Sequence, residues 1–156
     1  MKNKLMTIAA LVITSSWASA DYNKKEIRMD DCPAPVREVI TANSRDGKID
    51  DVDMIDIDGK QIYIAEVDLP RDTDLKVYVS GEGVLIKTRE DVRDGDVPAS
   101  VTNAVKDLGT IDDVEKETKG ETVTYHVDID RSGQADLEVV LSESGEVLSK
   151  SEGSDD

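Results

Sequence analysis

The sequence predicts an α+β fold of two tandem repeats, each a short helix followed by a four-stranded antiparallel meander sheet. Three observations lead there. The stretch from Ile49 to Gly83 returns as Ile111 to Gly145 at a constant offset of 62, with Asp50/Asp112, Asp51/Asp113, Val52/Val114, Tyr63/Tyr125, Leu75/Leu137, Val77/Val139 and Gly83/Gly145 among the identical pairs. A proline-opened apolar segment precedes each copy, at Pro33-Ala34-Pro35 and at Pro98. Within each copy, short β-branched runs are separated by turns of hairpin length.

Residues 1–20 read as an export signal. Lys2 and Lys4 form the basic start, Leu5 to Ile13 the apolar run, and Ala18-Ser19-Ala20 a small-residue cleavage site. The apolar run is too short for a permanent membrane anchor. The mature chain, cut after Ala20, is therefore expected in the periplasm or secreted, with no membrane insertion. Residues 21–32 are charged and lack an apolar period, which reads as a flexible lead-in. Cys32 is the only cysteine, so no disulfide can form within one chain. It is either unpaired or bridged to another molecule.

The first repeat is placed at 33–88. Val36, Val39 and Ile40 fall on one helix face. Ile49 to Asp58 follows as a strand with imperfect alternation, for which a bulge near Met54 would account. Asp58-Gly59, Pro70-Arg71-Asp72 and Gly81-Glu82-Gly83 then separate the strands at Gln61–Leu69, Leu75–Ser80 and Val84–Lys87. A charged linker covers 89–96. The second repeat, 97–150, places Val101, Ala104, Val105 and Leu108 on its helix and turns at Lys119-Gly120, Arg131-Ser132-Gly133 and Ser144-Gly145. Residues 151–156 read as a disordered acidic tail.

Strand period assigns the faces. Tyr63, Ala65, Val67, Leu75, Val77 and Val79, with Tyr125, Val127, Ile129, Leu137, Val139 and Leu141, share the phase that should meet the helices in one shared interior. The opposite phase carries Ile62, Ile64, Tyr78, His126 and Val140. Apolar residues turned away from the helix want a cover. That cover is a partner protein, the other repeat, or a second copy in a homodimer.

Charge narrows the function classes. The chain holds 19 basic and 35 acidic residues, a net charge of −16, and losing Lys2 and Lys4 takes the mature chain to −18. A field of that sign repels nucleic acid and anionic lipid. With Trp17 removed in the signal and no Phe, a mature chain holding four Tyr cannot build the aromatic platforms of a sugar-cleaving site. His126 is the only histidine, which excludes a multi-histidine zinc site, and on its outward phase it reads as a solvated contact residue. No catalytic set and no cofactor motif emerges. Asp128, Asp130, Ser132 and Asp136 partly match a calcium loop, but Val139 stands where the bidentate Glu belongs. An acidic, divalent-cation-binding exported protein is the alternative function.

Pro33-Ala34-Pro35-Val36, the Asp-Asp-Val stretch, the Asp-Gly hairpin and the short Val-rich strand ending in Gly resemble the PepSY-like group. So does the second copy, from Pro98-Ala99-Ser100-Val101 to Ser144-Gly145-Glu146-Val147. That group is similar in fold to the beta-lactamase inhibitor protein. The resemblance spans about residues 33 to 150 and implies an exported, non-enzymatic module. Its sheet faces would dock another protein, with a peptidase among the candidate partners. The chain departs from the inhibitor in lacking its disulfides and nearly all its aromatics.

Overall fold

The computed structural model describes residues 23–153; the expected signal and cleavage site, and the last residues of the expected tail, lie outside them. Nine strands occur in the order β1 (Asn23–Ile27), β2 (Lys48–Ile57), β3 (Lys60–Leu69), β4 (Thr73–Ser80), β5 (Leu85–Asp91), β6 (Thr110–Lys119), β7 (Thr122–Asp130), β8 (Leu137–Ser142) and β9 (Val147–Glu152). Helix α1 (Ala34–Asn43) precedes β2 and helix α2 (Ala99–Val105) precedes β6. Each strand pairs antiparallel with its neighbours in sequence, so a single sheet runs from β1 to β9.

This continuity overturns the expected architecture of two repeats with a four-stranded sheet apiece. Two features produce it. Residues 89–91, read as linker, complete β5 and pair with β6 through Thr88↔Thr118, Arg89↔Glu117, Glu90↔Lys116 and Asp91↔Glu115. Residues 23–27, read as flexible lead-in, form β1 against β2, with Lys24 opposite Ile55 and Ile27 opposite Val52. At the other end, Ser151 and Glu152 belong to β9, whose six residues are all exposed.

Both helices start where proline allows. Pro33 and Pro98 occupy the N-cap positions, where a missing N–H costs no helical hydrogen bond. Val36 and Ile40 of α1, and Val101 and Val105 of α2, are fully buried against the same face of the sheet. Helix α1 packs over β4 and α2 over β8. Gly83 and Gly145 permit this docking. Both have positive φ, +78° and +85°, and a Cβ there would overlap Pro35 at the start of α1 and Ser100 in α2.

The expected bulge near Met54 lies instead between Ile49 and Asp51, with a matching one between Ile111 and Asp113. The extra residue lets both Ile49 and Val52 reach the helix-side core although they are three apart. Beyond it the alternation is regular, and Ile55 and Ile57 turn to the other face.

The helix side holds two hydrophobic clusters where one shared interior was expected. One gathers Val36, Ile40, Val52, Tyr63, Ala65, Val67, Leu75, Val77 and Val79. The other gathers Val101, Val105, Val114, Tyr125, Val127, Ile129, Leu137, Val139 and Leu141. The strand positions between them are polar, with Thr88 opposite Thr118 and Glu90 opposite Lys116. Cys32 is no part of a mobile segment; it is 3 % exposed inside the first cluster, and its thiol donates to the Arg28 carbonyl at 3.7 Å.

Replacing Gly145 by Ala combines a left-handed backbone with a steric overlap against α2. Urea denaturation should show it destabilised by about 2 kcal/mol. Gly120 also has positive φ, but a Cβ there meets nothing. Its Ala variant should lose only about 1 kcal/mol.

Candidate docking face

No helix covers the opposite side of the sheet in the described structure. Register places on it Lys24 of β1, Asp53 and Ile55 of β2, and Ile62, Ile64 and Glu66 of β3. Lys76 and Tyr78 of β4, Lys87, Arg89 and Asp91 of β5, Glu115 and Glu117 of β6, His126 and Asp128 of β7, and Glu138 and Val140 of β8 follow across it. All five residues of the expected contact set therefore share this face, and each is half-buried. They do not form one patch. Ile62, Ile64 and Tyr78 sit together with Ile55 on β2–β4, whereas His126 and Val140 face each other across β7–β8.

A charged band on β5–β7 separates the two groups. Glu117 accepts from Lys87 Nζ and Arg89 Nε, both at 2.9 Å, and lies 3.5 Å from His126 Nε2. Arg89 Nη1 also reaches Glu115 at 3.0 Å, and His126 Nδ1 reaches Glu138 at 3.0 Å. Lys87 lies over the Tyr78 ring, 4.8 Å from its centre, so the band touches the apolar patch. His126 is consequently no solvated strand residue; its side chain is 14 % exposed and wedged among Arg89, Glu117 and Glu138.

The electrostatics follow from this geometry. Burial alone would raise the Glu117 pKa, but hydrogen bonds from His126, Lys87 and Arg89 outweigh it and hold the carboxylate far below its ordinary value. For His126, burial disfavours the charged ring, yet hydrogen bonds to Glu117 and Glu138 prevail over it and over the nearby Arg89, and the pKa rises. The His126 hydrogen bond is also the main reason that Glu138 is held low. Sequence reading missed Lys87, Arg89, Glu115 and Glu117. The available signal was their i, i+2 spacing on β5 and β6, hidden by treating residues 89–96 as linker.

Toward one end of the face, acid stands opposite acid in five strand pairings: Asp51↔Glu66, Asp68↔Asp74, Asp91↔Glu115, Asp113↔Asp128 and Asp128↔Glu138. Burial, then the surrounding carboxylates, push the pKa values of Asp91 and Asp128 up. Directly opposed like charges destabilise a sheet. The row crosses β2 to β8 all the same.

The calcium-loop match is not assembled. Asp128 and Asp130 lie on extended β7, Ser132 and Asp136 lie in the connection to β8, and no group of three or more potential ligands is placed to hold a metal ion among the described residues. Nor is any described helix long and apolar enough to cross a membrane.

No known family model and no curated protein matches the chain. Solved structures do. A DUF2874 family protein from Bacteroides uniformis aligns with a TM-score of 0.63 at 19 % identity, over 78 % of this chain and 89 % of its own. A BLIP-like protein from Bacteroides fragilis aligns with a TM-score of 0.64 at 13 % identity, over 80 % and 90 %. A protein from Bacteroides eggerthii, described as a candidate periplasmic protein, gives 0.64 at 16 % identity, over 78 % and 88 %. The chain shares the fold of these proteins.

Removing the Glu117 charge leaves Lys87 and Arg89 half-buried without their common acceptor. Glu117→Gln should cost about 2 kcal/mol in urea denaturation. The network also sets a pH dependence. The depressed carboxylates stabilise the fold above their ordinary pKa near 4.3, and that contribution fades as pH falls toward their folded values. The raised His126 pKa contributes fully below its ordinary value near 6.5 and is lost as pH rises through the folded value. Thermal unfolding should therefore show highest stability between about pH 5 and 6. His126→Gln should remove the decline on the alkaline side.

Proposed function

We propose that the protein is an exported, non-enzymatic module that docks a protein partner carrying a basic surface on the open face of its sheet. The observation that carries this reading is the series of opposed acids from Asp68 to Glu138, which weakens the free fold and in which Asp74, Asp91, Asp113 and Asp128 have no ion-pair partner among the described residues, so that an arriving cationic surface supplies their counter-charges. The half-buried Ile62, Ile64 and Tyr78, beside the buried Ile55, supply the apolar contact next to it, with His126 and Val140 on the far side of the charged band. Asp51 adds a further demand. Its Oδ1 is buried with no hydrogen-bond partner among the described residues, on the strand that borders the apolar patch.

Several sequence features support the setting. The export signal read at 1–20 and the candidate periplasmic description of the Bacteroides eggerthii neighbour agree on the compartment. The BLIP-like neighbour supports the beta-lactamase-inhibitor-like fold, and a peptidase or another envelope protein is the partner class that the PepSY-like resemblance of the sequence supplies.

Charge reversal within the acidic row tests the proposal. Asp128→Lys relieves repulsion with Asp113 and Glu138, so its melting temperature should equal or exceed that of the parent. The parent chain, immobilised and exposed to its native envelope extract, should retain a basic protein. Asp128→Lys should lose it, and so should Ile64→Asp combined with Tyr78→Asp. Raising salt from ~0.05 to ~0.5 M should weaken the parent's capture as well. Identical capture by the parent and both variants would contradict the proposal.

A further inference from the structure

The helix-covered side of the sheet carries a second feature that the docking face does not explain. Between the two hydrophobic clusters lies a hollow of about 180 Å³. Its floor follows one row across three strands, Glu90 of β5, Lys116 of β6 and Tyr125 of β7, with Thr73 of β4 two residues from Glu90's partner Leu75. Arg71 from the β3–β4 turn and Arg93 from the segment after β5 complete its cationic lining.

The charges here run against the rest of the chain. The acids around the hollow are already engaged: Glu90 binds Arg45 at 2.7 Å, Asp91 accepts the Asp74 backbone N–H at 3.2 Å, and Asp96 faces Arg93 at 4.0 Å. Arg71 and Lys116 have no ion-pair partner among the described residues. In a chain of net charge −16, two unpaired cations converge on one small cavity.

Tyr125 adds a hydrogen-bond donor to this lining. It is 5 % exposed, lines the hollow, and its hydroxyl has no hydrogen-bond partner among the described residues. Its counterpart Tyr63, equally buried in the other cluster, donates to Gln61 at 3.1 Å. Burial, with Glu143 and Glu90 nearby, raises the Tyr125 pKa, so the phenol keeps its proton and remains a donor.

We infer that this hollow binds a carboxylate, held by the guanidinium of Arg71, the ammonium of Lys116 and the hydroxyl of Tyr125. Size limits the ligand. Roughly 180 Å³ holds on the order of six waters and is smaller than the ~300 Å³ at which ordinary small-molecule sites begin. The hollow thus holds a small acidic group, such as a chain end or a short carboxylic acid. The planar fork of an arginine suits a carboxylate, and a phenol O–H supplies a third donor.

Amide chemical-shift titration of the mature chain tests the inference with three probes: succinate, a short peptide with a free C-terminus, and the same peptide amidated. Succinate, the free-acid peptide or both should move the amides of Thr73, Glu90, Lys116 and Tyr125, and the amidated peptide should not. The stronger of the two binders distinguishes a free acid from a peptide end as the source. Tyr125→Phe removes a hydroxyl that holds no protein atom, so its melting temperature should be unchanged and its affinity about fivefold lower. Lys116→Met should weaken binding about tenfold. No shift at these amides up to ~20 mM of either acid, a range in which millimolar affinities saturate, would overturn the inference. So would equal shifts with the amidated peptide, or unaltered affinity in both variants. None of these results bears on the open face, where Asp128→Lys is the probe.

Discussion

The structure depends on the pairing of β5 with β6. Four opposed residue pairs, from Thr88↔Thr118 to Asp91↔Glu115, turn what would be two separate sheets into one. Hydrophobic burial does not hold this seam, because its helix-side positions are the polar Thr88, Glu90, Lys116 and Thr118, and the two apolar clusters lie on either side of it. Backbone hydrogen bonds hold it, reinforced on the open face by Lys87 and Arg89 converging on Glu117. Such half-buried, multiply bonded ion pairs contribute more than isolated surface pairs, since one ordered carboxylate serves several donors. Val92 extends the seam, its N–H donating to the Val114 carbonyl at 2.8 Å.

From that seam follows the character of each face. On the helix side the polar join leaves the hollow that Tyr125 and Lys116 line. On the other side it sets a charged band between the apolar patch of Ile55, Ile62, Ile64 and Tyr78 and the His126–Val140 pair. The open face thus combines a modest apolar area, an internally neutralised centre and an acidic row that is neutralised only in part. A purely structural surface would gain nothing from placing Asp113 opposite Asp128 and Asp128 opposite Glu138. Retained local instability of this kind is the usual mark of a surface shaped for contact.

Much of the local structure was legible in the sequence. Alternating Tyr63, Ala65 and Val67 announced a half-buried strand, the proline openings announced both helices, and the positive-φ glycines announced the turns. Alternation also placed Ile62, Ile64, Tyr78, His126 and Val140 on a common face. Long-range pairing was not legible. A strand at an edge or a seam needs no apolar phase, so Asn23–Ile27 and Arg89–Asp91, both rich in charge, read as lead-in and linker although their backbones pair. The internal echo at an offset of 62 compounded this, because it drew a boundary where the sheet has none. The same blindness hid the ion network: two of the three groups that hold Glu117, Arg89 and Lys87, stand 28 and 30 positions away, which sequence spacing does not bring together.

The most direct measurement is native-state hydrogen exchange at the seam, read at the Val92 amide and at those of Thr88–Asp91 and Glu115–Thr118. If one sheet spans both halves, the hydrogen-bonded amides among them should exchange only by openings close in free energy to global unfolding, and Glu117→Gln should lower that free energy. Exchange at the seam within seconds, while the amides of Val77 and Val139 stay protected, would show two sheets that merely abut and would contradict the account.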